Sequence, residues 1–438
     1  MRKATFPIGG LFPPGRKSLT EDLTIRNAIM PPTTIVPLRQ GSDRAAIATV
    51  SLGDRVGEGD RIGRGPGAGS AHVHSPVPGV ISRLLDVTFG ENDSSPALEI
   101  QMDGEFQRLG KPADRYDWSS FEAKTIRRLV REAGVVDMTG QAGPVDRILS
   151  PEIAANCRYL IVSGAESEPY VTVARRMLTE YSAQIIEAIA IVRRVLEPAQ
   201  TIVAVEADKS EGLARLRVAA EAAGQKMRFS ELETKYPQND ERQLIRATTG
   251  KEVPSGQEPH EIGCVTLSIA TLYAIWEAVV TRKPVIERII TVSGGALERP
   301  ANLKVRVGTP IASLLKECGL VPERAERIVV GGPLRGVSVD NLAIPVVKNT
   351  NAVLALTRSE VKAAPETACI QCGRCTQACP MGLNPERLFK LVEHERYGQA
   401  ENEGLFDCTE CGSCSHICPA RLPLLEGFVH GKAERRSS

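Results

Sequence analysis

Apolar positions along the first third of the chain come in short runs, cut by glycine and proline. Residues 1–35 carry Gly9-Gly10-Leu11-Phe12-Pro13-Pro14-Gly15, a composition hostile to a helix interior. They predict an extended arm lying over another domain. Residues 36–110 alternate short apolar segments with tight Gly-Asp turns, such as Ala45 to Val50 before Gly53-Asp54, and Val56 before Gly59-Asp60. That spacing predicts a small all-β domain. From residue 120 to 285 the period changes. Thr125 to Ala133 and Val173 to Ala190 read as amphipathic helices, and Tyr159 to Val162 and Thr201 to Val205 as buried strands. Helices alternating with strands predict an α/β, Rossmann-like domain on a largely parallel sheet. Residues 286–360 return to strands around one helix, Ile311 to Glu317, which suits a β-grasp module. Residues 365–425 form a cysteine-rich domain, and 426–438 a tail whose basic residues Lys432, Arg435 and Arg436 read as solvated.

Composition adds exclusions. Of 438 residues, 42% are apolar and 24% charged, as in globular protein. With 54 basic against 53 acidic residues, the formal charge of +1 gives no sequence-wide attraction to nucleic acid. No run of about 18 apolar residues predicts a transmembrane helix. The N-terminus lacks the apolar segment of a secretory signal. These features predict a protein that stays in the cytoplasm and reaches a membrane only by docking to integral partners.

Eight of the eleven cysteines lie between Cys369 and Cys418; Cys157, Cys264 and Cys318 are scattered and read as buried small residues. The eight form two runs of one spacing: Cys369, Cys372, Cys375, Cys379 before Pro380, and Cys408, Cys411, Cys414, Cys418 before Pro419. Three closely spaced thiolates wrap a cubane, while the fourth ligates the other cluster in two-cluster ferredoxins. The runs therefore predict one [4Fe–4S] cluster on Cys369, Cys372, Cys375 and Cys418, and a second on Cys408, Cys411, Cys414 and Cys379. Zinc is the competing reading of paired Cys-x-x-Cys. The long gap between the runs, with Pro385 to Tyr397 reading as a helix, suits an α-helical ferredoxin. Outside the runs, His72 and His74 fall on one strand face, but two histidines alone make a poor metal site.

The pattern of residues 53–81 resembles the biotinyl/lipoyl barrel-sandwich hybrid, without the carrier lysine at the tip Gly65 to Ser70. Over nearly the whole chain the sequence resembles the RnfC family, the C subunits of Rnf electron-transport complexes, related to the NADH- and FMN-binding 51-kDa subunit of complex I. The resemblance rests on Gly9 to Pro14, the hybrid-barrel pattern, Gly164 to Tyr170, Thr234 to Gln238, Tyr273 to Ile275, Asn302 to Val305 with Gly308-Thr309-Pro310, Gly331-Gly332-Pro333 and the cysteine runs. It implies an SLBB-like β-grasp module and an NADH-linked FMN in the α/β domain. It implies other subunits of a membrane complex, ferredoxin and NAD(H) as partners, and a peripheral place on the cytoplasmic side of the cell membrane. The cofactor region it implies maps to Gly140, Gly143, Glu166, Glu168 and Lys235. The flavin loop departs from the family pattern: Asp137-Met138-Thr139-Gly140-Gln141-Ala142-Gly143-Pro144 stands where glycines are usual. Ser167, Ala174, Arg175, Asn239, Asp240 and Ser268 depart as well. Three readings stay open: an electron-transfer subunit linked to NAD(H), a non-catalytic cluster-bearing adaptor that has lost FMN and NADH, and a flavin- or cobalamin-reductase relative. Glu166 and Glu168 also read as surface charge or as helix-start carboxylates, and Lys235 as a solvated lysine.

Overall fold

A computed structural model of the protein describes residues 3–41, 44–67, 70–90, 93–107, 109–111, 114–139, 143–361 and 365–437. The candidate Gly140 lies outside the described residues.

The N-terminal arm is extended, and it serves several domains rather than covering one. Ala4 bridges Leu232 and Leu11 bridges Tyr236 in the α/β domain, and Ile25–Asn27 pairs in parallel with Asn302 to Lys304. Two small sheets follow. Thr33–Pro37, Asp93–Met102, Gly79–Gly90 and Arg55–Val56 form one, and Ile47–Ala48, Arg61–Arg64 and Val73–His74 the other. Their inner faces share a core of Val36, Ile62, Val73, Ile81, Leu98 and Ile100. His72 and His74 are both buried. The His72 Nδ1 accepts from the Gly65 N–H at 3.0 Å, so one ring nitrogen is already spent inside the barrel.

The central domain holds a parallel four-stranded sheet in the order Arg228–Leu232, Gln200–Glu206, Tyr159–Gly164, Cys264–Ser268. Leu160, Ile161 and Val162 are fully buried, as expected of a central strand with helices on both faces. The helix expected from Val173 to Ala190 is two helices, Val173–Glu180 and Ser182–Leu196. Tyr181, at φ −123° and ψ 26°, leaves helical geometry between them, and its ring lies 4.6 Å from that of Tyr273. Tertiary packing overrides the uninterrupted local period.

A six-stranded mixed sheet follows, in the order Ile25–Asn27, Ala301–Arg306, Glu287–Ser293, Ala352–Thr357, Ala325–Val330, Val337–Ser338, with Ile311–Glu317 packed on it. Pairs of antiparallel strands joined through a parallel central pair, Glu287–Ser293 with Ala352–Thr357, give the β-grasp form.

The cysteine-rich domain is helical: Arg374–Ala378, Pro385–Glu393, Tyr397–Asn402, Ser413–Ile417 and Leu424–Ser437. The helix expected from Pro385 to Tyr397 ends at Glu393, where Glu395 takes a φ of +56°. The tail is solvated only in part: Glu434 and Arg436 are exposed, while Lys432 is buried. It continues the last helix, with Phe428 1% and Lys432 6% exposed. Phe428 packs with Leu388, Phe389 and Leu405, and Lys432 donates to the Cys408 carbonyl at 2.6 Å. A buried apolar face, invisible in a segment judged by its charges, holds this helix down.

Candidate metal centres

Each cysteine run folds into the same loop. Gln371 and Glu410 take φ of +54° and +53°, and Gly373 and Gly412 take +70° and +71° before a one-turn helix. These turns aim backbone N–H groups at sulfur: Gln371 N–H donates to Cys369 Sγ and Glu410 N–H to Cys408 Sγ, both at 3.4 Å. Glycine supplies the left-handed position without a Cβ penalty. After each helix, proline ends the loop and turns the fourth cysteine away from its own run.

The loops surround two cavities. One, of about 390 Å³, is walled by Cys369, Cys372, Cys375 and Cys418, with Pro419, Leu422 and Leu424. The other, of about 380 Å³, is walled by Cys408, Cys411, Cys414 and Cys379, with Leu388, Leu425 and Phe428. Each therefore takes three thiols from one run and one from the other. Among the described residues no three His, Cys, Asp or Glu side chains converge on a single metal ion. Four cysteines line each cavity, the number of thiolates that a [4Fe–4S] cube takes. Burial pushes the Cys408 thiol up to about 12 and raises Cys379 and Cys414 as well. Thiolates in so dry a wall need a cation beside them, and cluster iron meets that need. The residues present fit the group.

The two sites differ in what covers them. Cys411 and Gly412 are buried, and the Gly412 Cα lies so near the β-grasp loop that a Cβ would meet the Leu334 carbonyl oxygen at 2.2 Å. The Arg335 Nη2 donates to the Thr409 carbonyl at 3.3 Å, and the Gly10 N–H to the Ala378 carbonyl at 2.9 Å. The Tyr236 hydroxyl donates to the Cys411 carbonyl. On the matching loop Cys372 is exposed, Ile370 is 68% exposed, and a Cβ on Gly373 would touch nothing. The second cavity is the inner one, seated on the α/β and β-grasp domains. The first is the outer one.

The other expected site residues are also inside. Glu166 is 9% exposed, and its Oε1 accepts the Ala174 N–H at 2.7 Å in the first turn of Val173–Glu180, so the helix-start reading describes it. Burial raises its pKa, and among the described residues its Oε2 accepts no hydrogen bond. Lys17 of the arm donates to the Glu166 carbonyl at 2.7 Å and pairs with Asp208. Beside them Lys209 pairs with Glu206, which also accepts from Ser167 at 2.6 Å. Glu168 is not a surface charge: its Oε2 accepts from the Leu334 N–H at 3.1 Å, and burial raises it to about 7. Lys235 is not solvated either. It lies 4.0 Å from the Phe6 ring centroid and donates to the Phe6 carbonyl at 3.0 Å. Gly143 accepts from the Asp137 N–H at 2.8 Å, and its Cα faces open space.

Sheet order reverses between Tyr159–Gly164 and Cys264–Ser268, so the crevice beyond their carboxyl ends is where open α/β folds bind ligands. Asp137 stands there, accepting from Thr271 Oγ1 at 3.1 Å, near Glu241, which accepts from Thr266. Among the described residues neither carboxylate is in an ion pair. Both carboxylates stand beside this crevice, and residues 140–142 of the adjoining loop lie outside the described residues. Tyr236, Leu334 and Lys17 were not among the sequence candidates. The preserved Lys235-Tyr236-Pro237-Gln238 segment was the one available signal for the tyrosine.

Comparison with known proteins agrees with this architecture. Residues 5–105 match the family described as RnfC barrel sandwich hybrid domain, 130–277 the Nuo51 FMN-binding domain, 289–338 the SLBB domain, and 368–422 the 4Fe-4S dicluster domain. The C subunit of a proton-translocating ferredoxin:NAD(+) oxidoreductase complex from Clostridium ljungdahlii is 35% identical over 432 residues, 98% of this chain and 94% of the relative. The C subunit of the ion-translocating oxidoreductase complex of Rhodobacter capsulatus is 35% identical over 98% of this chain and 83% of its own length. That of Yersinia enterocolitica is also 35% identical, but this chain spans 61% of it. Among solved structures, an NAD+-reducing [NiFe]-hydrogenase in the H2-reduced state superposes with a TM-score of 0.54 at 16% identity, over 73% of this chain and 62% of that one, a likeness of fold. The chain belongs to the RnfC family, the C subunits of ion-translocating oxidoreductase complexes.

Proposed function

We propose that this protein is an electron-transfer subunit of a membrane-associated ferredoxin:NAD oxidoreductase complex, relaying electrons between NAD(H) and partner subunits through two [4Fe–4S] clusters. The observation that carries the reading is the exchange of the fourth cysteine between two thiol-walled cavities. Cys369, Cys372, Cys375 and Cys418 would hold the outer cluster, and Cys408, Cys411, Cys414 and Cys379 the inner one. When bound, each cluster takes up and returns one electron at a time. The chain's own residues seat both clusters in apolar walls, direct N–H groups at sulfur, and press the inner loop against the α/β domain. Relatives named as C subunits of ferredoxin:NAD and ion-translocating complexes support this reading over a detached adaptor or a soluble reductase. Among the described residues no helix is long and apolar enough to cross a membrane, so attachment runs through partner subunits. A place on the cytoplasmic face follows from the nicotinamide and ferredoxin partners.

Anaerobic iron and sulfide analysis of the purified chain should give about eight irons. Within the assembled complex, NADH should bleach the visible absorption of the clusters. Zinc in place of iron would end the cluster assignment. Iron-loaded complex that NADH leaves unbleached would end the link to NAD(H).

A further inference from the structure

We propose that Tyr236 is a positioning residue for the inner cluster: its hydroxyl, carried by the α/β domain, fixes the Cys411 peptide and thereby sets that cluster's reduction potential. The inference rests on the reading of Cys411 as a cluster ligand.

Tyr236 is 1% exposed, and its ring packs among Leu11, Leu334 and Cys411. Its backbone is clamped to the arm on both sides, since the Leu11 N–H donates to the Tyr236 carbonyl and the Tyr236 N–H to the Leu11 carbonyl, each at 2.8 Å. The clamped backbone and the packing around the ring together place its hydroxyl. Two acceptors wait there, the Cys411 carbonyl and Glu168 Oε1, the latter at 3.3 Å. A phenol has one hydrogen, and the closer of the two acceptors is the carbonyl. Glu168 is held in turn by the Leu334 N–H. The result is a contact chain from the end of the central strand, through Glu168 and Tyr236, to the peptide of a cluster thiolate.

The outer loop provides an internal control. Among the described residues, the matching carbonyl of Cys372 accepts no side-chain hydrogen bond, and Cys372 is exposed where Cys411 is buried. An O–H dipole aimed at the ligand peptide favours the reduced, more negative cluster. Burial keeps water from screening that dipole. The same bond also fixes the loop's distance from the α/β domain.

The test uses the full iron-loaded chain in an anaerobic redox titration followed by EPR, with Cys372→Ser marking which step belongs to the outer cluster. Tyr236→Phe should shift the inner step to lower potential by about tenfold in the equilibrium constant, about 59 mV for one electron, and leave the outer step in place. Site-specific 3-fluorotyrosine at position 236 keeps the shape and makes a stronger donor, and it should shift the inner step the other way. Unmoved steps, or steps that move together, overturn the proposal. If the phenylalanine variant fails to fold, the fluorotyrosine protein decides alone, and absence of a positive shift overturns the proposal. A wild-type chain without about eight irons would instead overturn the cluster reading itself.

Discussion

Cys379 and Cys418 close their own runs, and each lines the cavity walled by the other run's first three thiols. A substitution at one should therefore empty a site mostly built by distant residues. Cys379→Ser is expected to remove the inner cluster, whose other thiols are Cys408, Cys411 and Cys414, and to leave about four irons per chain. Iron analysis with EPR checks this; loss of the cluster on Cys369, Cys372 and Cys375 would contradict the crossed pairing. The crossing was legible from spacing, because a fixed interval of cysteines and a following proline leave few geometries. Residues with one distant partner were not legible. Lys235 meets Phe6 at a separation of 229 residues, and Glu166 meets Lys17 at 149. A lone charge in sequence carries no mark of the carbonyl or ring that will bury it, so the default of a solvated lysine or a surface carboxylate fails at such positions.

Elements meet through a charge network at the join of three domains. Glu277 at the end of Ile269–Val280 and Glu287 at the start of Glu287–Ser293 face Lys283, Lys304 and Arg306, and Arg306 continues to Glu58 in the barrel. Burial alone would raise Glu287, but the three cations outweigh it and hold the carboxyl down to about 2. A carboxylate with a depressed native pKa stabilises the fold above its ordinary value, near 4.5, and loses that contribution as pH falls toward 2. Glu287→Gln should therefore cost about 3 kcal/mol at neutral pH and flatten the loss of stability between pH 4.5 and 2. Denaturant unfolding across that range checks it, and an unchanged acid limb would refute it. The strands in this network could be read from their alternation. The break at Tyr181 and the helix Leu424–Ser437 could not, since ring packing decides one and a buried face under a charged tail the other.

Across the whole molecule the two clusters are built alike and sheltered unequally. The inner loop is covered by the arm, the α/β domain and the β-grasp loop, while the outer loop shows Ile370 and Cys372 to solvent. A ferrous chelator should accordingly strip iron in two phases, taking the outer cluster first. EPR of the half-depleted protein should retain the signal that Cys379→Ser removes. A single phase, or the reverse order, would show that exposure does not govern release. The domain plan behind this was readable from sequence as a series of periods. Which cluster faces inward was not, because both runs have one spacing and differ only in what lands on them.

The extended N-terminal arm adds a constraint of timing. Residues 4–27 find their places against Leu232, Tyr236, Ala378 and the strand Ala301–Arg306. The surfaces this segment needs lie far downstream, so they leave the ribosome only after it does. The bond from the Gly10 N–H to the Ala378 carbonyl can form only once the cysteine loops exist. Docking of the arm then closes assembly like a final stitch, so a bulky fusion at the front end should disturb iron held at the far end.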